Sequence, residues 1–140
     1  INPYNIETER SLKSRYRIDF EFDRVYIGFE RTLLIGDTVN NKLLSILYCF
    51  KNKGLKLYMI CEMYEDISSS IFKVLEKYAI SSNLFDEIIS IGKTEEKADH
   101  VKCKKSIFID ASFIDRSHVH RKCSIPVFDI DQAIDIFEQF

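Results

Sequence analysis

Several features that would assign this 140-residue sequence to a special class are missing from it. No apolar run approaches the roughly 20 residues that a helix needs to span a bilayer, so no transmembrane segment is predicted. The formal net charge is only −2 with both signs interspersed, which argues against nucleic acid or an anionic membrane as a partner. No internal repeat, low-complexity segment or signal-peptide pattern is visible.

The cysteines form no CxxC pair, which disfavours a zinc site. The four cysteines are Cys49, Cys61, Cys103 and Cys123. Free, mostly buried thiols in a reducing cytoplasm are the favoured interpretation, ahead of zinc ligands or a disulfide. We therefore expect a cytoplasmic localisation.

What the sequence does contain is ample material for one core. It is 46% hydrophobic, with eleven Phe and seven Tyr, which argues against disorder. The length fits a single domain. Residues 1–23 are polar and mixed in charge, so we predict an N-terminal extension or linker there and one folded domain over residues 24–140. Because the chain opens at Ile1 rather than Met, we expect it to be part of a longer protein.

Strand-like and helical patterns alternate five times along the chain. The predicted strands are Val25–Phe29, Leu57–Ile60, Ile88–Ile91, Ser106–Asp110 and Pro126–Phe128. The predicted helices include residues 43–50, 67–78, 94–103, 113–122 and 130–140. Short apolar runs without alternation suit strands buried on both faces of a parallel sheet. The order predicts a doubly wound, Rossmann-like α/β fold, with a mostly parallel five-stranded sheet, helices on both faces and right-handed crossovers.

Several polar residues and glycines indicate where the helices begin and end. Asn40 or Asn41 is a plausible N-cap of the first helix, and Gly54 stands where a left-handed residue would end it. Asp110 or Ser112 could cap the fourth helix.

The carboxyl ends of the predicted strands carry the candidate functional residues. Ligands of doubly wound sheets bind outside these ends, which places a site at residues 28–32, 61–64, 92–97 and 110–116. The first strand runs into "GFERT", and the fourth ends in "IFIDASFIDR". The candidate site residues at these strand ends are Gly28, Glu30, Thr32, Cys61, Lys93, Lys97, Asp110, Ser112 and Asp115.

This order of strand ends resembles the haloacid dehalogenase-like (HAD) superfamily over residues 25–130, with degenerate catalytic motifs. In that family the first strand ends in D-x-D-x-T, the second ends in Ser or Thr, and a Lys precedes a fourth strand that ends in one or two acids. The segment "SIFIDASFIDRSHVHRKCSIPVFDID" is similar to a sub-group with "FIDDSF.ER" and "GIPVFD" at this point. The resemblance extends to domains appended to ATP-grasp, carbamoyl-phosphate-synthase-like proteins of bacterial surface-polysaccharide clusters.

The resemblance implies a phosphotransfer site whose first strand has lost its nucleophile. The family uses one Asp to attack phosphorus and a second as general acid and base. Gly28 stands at the nucleophile position and has no side chain, while Glu30 stands at the acid/base position. Thr32 is retained and is expected to hold the turn. Cys61, a poor hydrogen-bond donor, stands at the second-strand position.

The other half of the implied site is better preserved. Lys97 is the better candidate for the family Lys, with Lys93 second. Asp110 keeps the metal-binding acid, and Ala111 stands where the sub-group has a second Asp, for which Asp115 could partly substitute. Residual Mg²⁺ binding by Asp110 and Asp115, helped by Glu30, is the metal site that the resemblance leaves open.

These substitutions favour a HAD-like domain that is no longer an enzyme and binds no cofactor, with Mg²⁺ relevant only if activity remains. We expect an interaction, scaffold or regulatory module whose partner is a domain of the parent protein or another protein. The alternative is a divergent Mg-dependent phosphatase of a small phosphorylated metabolite. His118 and His120 lie two residues apart, which on a helix does not form a metal site. Residues 33–40 leave no room for a substantial cap domain, so the pocket is expected to be open.

Overall fold

The structure is a computed structural model that describes residues 21–62 and 67–138, with only the backbone described at residues 67–70. Strands alternate with helices along this part of the chain. The elements in order are β1 (Arg24–Gly28), β2 (Leu34–Ile35), β3 (Thr38–Val39), α1 (Asn41–Asn52), β4 (Lys56–Glu62), α2 (Ile67–Lys77), β5 (Glu87–Ile91), β6 (Ser106–Ile109), α3 (Phe113–Cys123), β7 (Val127–Phe128) and α4 (Ile130–Phe137). Two short 3-10 helices cover Ser82–Leu84 and Lys97–His100.

Five of the strands form a parallel sheet in the order β5-β4-β1-β6-β7. Strand β1 is central and pairs with β4 on one side and β6 on the other. The chain moves outward from β1 first through β4 and β5, then through β6 and β7, so the order reverses beside β1. The predicted doubly wound α/β sheet is confirmed, and the reversal point, where such folds bind ligands, lies at the end of β1.

Alternate side chains of the strands enter two separate cores, one on each face of the sheet. Val25 and Ile27 pack in the larger core with the apolar faces of α1, α2 and α4. Tyr26 points to the opposite face, where Val119 of α3 belongs to the second core. This two-sided burial explains why the strands are continuous apolar runs in the sequence. Phe22, which precedes β1, is also buried in the larger core.

The helix ends largely follow the capping signals. Asn40 is the N-cap of α1, and its side chain accepts a hydrogen bond from the Leu43 amide. Gly54 adopts a left-handed φ of 87° after that helix. Of Asp110 and Ser112, the two N-cap candidates before α3, Ser112 is the cap, and its side chain accepts a hydrogen bond from the Asp115 amide.

One predicted helix is wrong. Residues 94–103 form only the 3-10 helix Lys97–His100, which ends at Val101, where the backbone is extended. Glu95 accepts a hydrogen bond from the Gly92 amide, and Glu96 and Asp99 form a capping box. The capping box thus marks the start of this short helix.

The segment between β1 and α1 contains a small hairpin in place of a cap domain. Strands β2 and β3 pair as two antiparallel residues each, joined through Gly36 and Asp37. No helical insert is present in residues 33–40, as predicted. Among the described residues, no helix has the length and apolar character needed to cross a bilayer.

The prediction of four free thiols is wrong for two cysteines. Cys103 and Cys123 form a disulfide with Cα atoms 4.6 Å apart. Cys49 and Cys61 are free, on α1 and at the end of β4. The pairing joins residues 20 positions apart that only the fold brings together, so no spacing rule could have revealed it.

Candidate functional site

Gly28, the last residue of β1, is in close contact with the end of β6. A Cβ atom on Gly28 would overlap Asp110 Oδ2, lie 2.9 Å from Asp110 Cγ and lie 3.3 Å from Lys97 Nζ. The φ angle of Gly28 is not in the left-handed region, so its backbone would tolerate other residues. Glycine is therefore required here by the close approach of Asp110 and Lys97 and not by the chain's conformation.

Lys97 and two carboxylates form a buried cluster beside Gly28. Lys97 Nζ lies 2.7 Å from Asp110 Oδ2 and 3.1 Å from Asp115 Oδ2. The side chains of Lys97 and Asp110 are each only 2% exposed, and that of Asp115 is 22% exposed. The 3-10 helix, the end of β6 and the first turn of α3 each supply one of these three residues. Lys93, the second candidate, is exposed and does not take part.

The carboxylates keep Lys97 charged. Burial alone would lower the pKa of Lys97, but the charges and hydrogen bonds of Asp110 and Asp115 outweigh burial and raise this pKa above the usual 10.5. Asp110 also accepts a hydrogen bond from the Ser112 amide through its other oxygen, Oδ1. Both oxygens of Asp110 are thus engaged within the protein.

Thr32 joins the turn after β1 to the loop after β6. Its side chain is completely buried, and its Oγ1 accepts a hydrogen bond of 3.0 Å from the Ala111 amide. Thr32 was expected to hold the turn, and this contact ties that turn to the neighbouring loop. On the other side of that loop, Arg116 donates to the main-chain oxygen of Asp110 at 2.8 Å.

Glu30 and Cys61 do not join the Lys97 cluster. Glu30 Oε1 accepts a hydrogen bond from the Glu62 amide at 3.0 Å, so it ties the turn after β1 to the end of β4. Cys61 Sγ lies 3.2 Å from Ser90 Oγ on the adjacent strand β5. Burial raises the pKa of the Cys61 thiol, and the hydrogen bond with Ser90 only partly opposes this, so the thiol is protonated at neutral pH. It is therefore a weak nucleophile.

A cavity of about 500 Å³ opens beside the cluster. One wall is the segment from Gly92 to Lys97, and the other includes Asp115 and His118 of α3. His118 Nδ1 lies 3.5 Å from Glu96 Oε1 across the gap between these walls. The cavity is therefore bounded by the same two elements that meet at Lys97.

The residues present do not fit a magnesium ion. The carboxylates of Asp110 and Asp115, which the resemblance assigns to the metal, both contact the ammonium of Lys97. Glu30 is turned to the Glu62 amide. In residues 21–62 and 67–138, no three acidic, His or Cys side chains are grouped as metal ligands would be. A positive charge already lies where the ion's charge would be needed.

Sequence reasoning named most of the residues at this site but missed several contacts. It brought together Gly28, Lys97, Asp110 and Asp115, which the structure also does. It missed Arg116, whose side chain donates a hydrogen bond to the main-chain oxygen of Asp110, because no sequence pattern indicates such a bond. Residues 63 and 64 of the second strand end lie outside the described residues.

Comparisons with known proteins support the fold. The sequence matches no family model and no curated protein. An uncharacterised protein from Corynebacterium glutamicum superposes with a TM-score of 0.56 at 13% identity, covering 76% of this chain and 82% of that one. The N-terminal part of a Bacteroides fragilis protein, which contains a phosphatase domain complexed with Mg, gives 0.56 at 12% identity, covering 84% of this chain and 39% of that one.

A third solved structure, from Streptomyces avermitilis and assigned to the HAD family of hydrolases, gives a TM-score of 0.51 at 9% identity. It covers 85% of this chain and 90% of that one. These identities are low, so the likeness concerns the fold. The fold is HAD-like.

Proposed function

We propose that this HAD-like domain is non-catalytic and serves as an interaction, scaffold or regulatory module of a larger bacterial biosynthetic protein. The observation that carries the proposal is the filled space beside Gly28. A nucleophilic carboxylate at this position would overlap Asp110, and Lys97 Nζ is also within 3.3 Å of the Cβ position. A covalent phosphoryl intermediate has neither an acceptor atom nor room to form there.

The charges of the site support the same conclusion. Lys97, which in a phosphatase would steady a phosphoryl oxygen, is held by two carboxylates of its own chain. Asp110, which would hold a metal ion, is neutralised by Lys97. The two groups that the family directs at its substrate and cofactor thus satisfy each other, and the cluster contributes to the structure of the domain.

An assay of phosphatase activity tests the proposal. With p-nitrophenyl phosphate and Mg²⁺, we expect turnover of the purified protein to match a blank without protein, and Asp110→Ala to change nothing. Turnover that Asp110→Ala abolishes would overturn the proposal. The converse variant, Gly28→Asp with Glu30→Asp and Ala111→Asp, asks whether the missing side chains are sufficient for activity.

A divergent phosphatase is the second candidate. It is favoured by the meeting of Lys97 and Asp110 at the end of β1 and by the fold's likeness to a phosphatase domain complexed with Mg. It requires Lys97 to leave Asp110 before a metal ion could bind. The assay above separates the two candidates.

The wider assignment follows from the resemblance of the sequence to domains appended to ATP-grasp proteins of polysaccharide clusters. Under this proposal the partner is another domain of the parent protein, and the location is the cytoplasm. The full-length gene supplies the test: an ATP-grasp domain encoded in the same chain is expected, and a secretion signal ahead of this domain would contradict the location.

A further inference from the structure

The Cys103–Cys123 disulfide joins the two segments of the chain that carry the walls of the cavity beside Lys97. Cys103 lies three residues after the 3-10 helix Lys97–His100, in the segment that leads from one wall into β6. Cys123 is the last residue of α3, which forms the other wall. The 20-residue loop that the bond closes contains Asp110 and Asp115, the two carboxylates that hold Lys97.

The other contacts between these walls are non-covalent. Lys122 contacts Asp99 at 2.9 Å, and His118 lies 3.5 Å from Glu96. The Lys122–Asp99 pair is about half exposed on both sides, and exposed ion pairs of this kind contribute little. Apart from apolar packing, the disulfide and the buried Lys97 cluster are therefore the main links between the 3-10 helix and α3.

We propose that Cys103 and Cys123 form a redox-controlled staple on this cavity. In the oxidised protein the staple holds the Lys97 segment against α3 and keeps Lys97 on Asp110 and Asp115. In the reduced protein the segment separates from α3 more often, and the ammonium of Lys97 becomes accessible from the cavity. This inference goes beyond the proposed function and does not depend on whether the domain is catalytic.

The exposure of the two cysteines indicates which sulfur a reductant attacks when the disulfide is reduced. Cys103 is exposed, whereas Cys123 is only 7% exposed. A thiolate of a dithiol reductant attacks Cys103 Sγ and forms a mixed disulfide, while Cys123 leaves as a thiolate and takes up a proton. The second thiol of the reductant then releases Cys103. Two electrons and two protons pass to the protein, and the reductant becomes a disulfide.

The staple also accounts for a disulfide in a domain that we place in the cytoplasm. Disulfides of cytosolic proteins are usually transient and redox-sensing. In such a compartment the two thiols would be the resting state, and an oxidant would close the staple.

Lysine footprinting tests the proposal directly. The oxidised protein and a sample reduced with dithiothreitol, then desalted without oxygen, are acetylated briefly and analysed by mass spectrometry. We expect labelling of Lys97 to rise about tenfold on reduction, because local opening exposes its amine. Exposed Lys93 should be labelled equally in both samples and serves as the internal control.

Two variants sharpen the test. Cys103→Ser should give the reduced level of Lys97 labelling with or without dithiothreitol, whereas Cys49→Ser should respond as the unaltered protein does. Hydrogen exchange of the β1 amides, followed in parallel, should not change on reduction. Unchanged Lys97 labelling would overturn the proposal. Loss of β1 protection on reduction would overturn it as well, because the bond would then be a requirement of the whole fold.

Discussion

The ammonium of Lys97 lies 2.7 Å from Asp110 Oδ2, and together these groups fill the space next to Gly28 where a side chain would begin. The ammonium of Lys97, which the 3-10 helix supplies, thus lies beside the end of the central strand β1. This relationship makes the residues of the site part of the stability of the domain, and it leads to four predictions.

Adding one methyl group at Gly28 should destabilise the protein. We expect Gly28→Ala to lower the free energy of unfolding by about 1–3 kcal/mol, because the new Cβ overlaps a carboxylate that Lys97 and Ser112 hold in place. The matched control is Gly92→Ala at the end of β5, where a Cβ would lie 3.6 Å from Glu95 Oε1, an ordinary contact. Urea unfolding of both variants measures the difference, and equal stabilities would show that Asp110 moves aside without cost.

Removing the charge of Lys97 should be among the most damaging single changes. Lys97→Met leaves Asp110 buried without its cation, which costs about 3–5 kcal/mol of unfolding free energy. Lys93→Met removes an exposed lysine and should change stability by no more than about 0.5 kcal/mol. Adding Asp110→Asn to Lys97→Met should recover part of the loss, which chemical denaturation can measure. Strictly additive effects would mean that the pair is not coupled.

On the alkaline side, the contribution of Lys97 should persist until the pH passes 10.5. Because the pKa of Lys97 in the folded protein is raised above 10.5, its stabilisation is complete below pH 10.5 and is lost as the pH rises through the folded value. The stability difference between the unaltered protein and Lys97→Met should therefore narrow at the alkaline end. NMR titration of the Lys97 side chain gives the pKa directly, and a midpoint below 10.5 would contradict this prediction.

The hydrogen bond between Thr32 and the Ala111 amide should stabilise the loop after β6. Thr32→Val keeps the shape of the side chain but removes the acceptor of a part-buried hydrogen bond, which costs about 0.5–1.5 kcal/mol. Thr38→Val, at an exposed position of β3, is the matched control and should be close to neutral. Thermal and urea unfolding provide the comparison, and faster hydrogen exchange of the Ala111 amide should accompany the loss. A Thr32→Val protein as stable as the control would remove Thr32 from this role.

The fold was predictable because its signals are local. Strand β1 is a continuous apolar run because both of its faces are covered. The start of α1 is marked in the sequence by its N-cap residue, Asn40. The helix predicted over residues 94–103 is wrong. Glu95 and Glu96 accept hydrogen bonds from nearby main-chain amides, and these bonds depend on the conformation of the surrounding turns. A short polar segment offers no apolar stripe to decide between these outcomes.

The sequence predicts which residues belong to the site, but it does not predict which of their side chains contact each other. Gly28, Lys97 and Asp110 meet at the carboxyl ends of the parallel strands. The alternation of strands and helices in the sequence is enough to predict this. Whether Lys97 points to a ligand or to Asp110 depends on side-chain directions that no residue spacing records. The same holds for the Cys103–Cys123 bond, since its partners meet only after β6 and α3 have packed.

The small hairpin between β1 and α1 makes this domain convenient to modify. Its tip at Gly36 and Asp37 is exposed, and nothing lies within 4 Å of a Cβ added at Gly36. A peptide tag or a fluorescent protein inserted at this tip would extend from the ligand-facing end of the sheet without entering either core. The hairpin thus offers an exposed point at which a reporter could be inserted outside both cores.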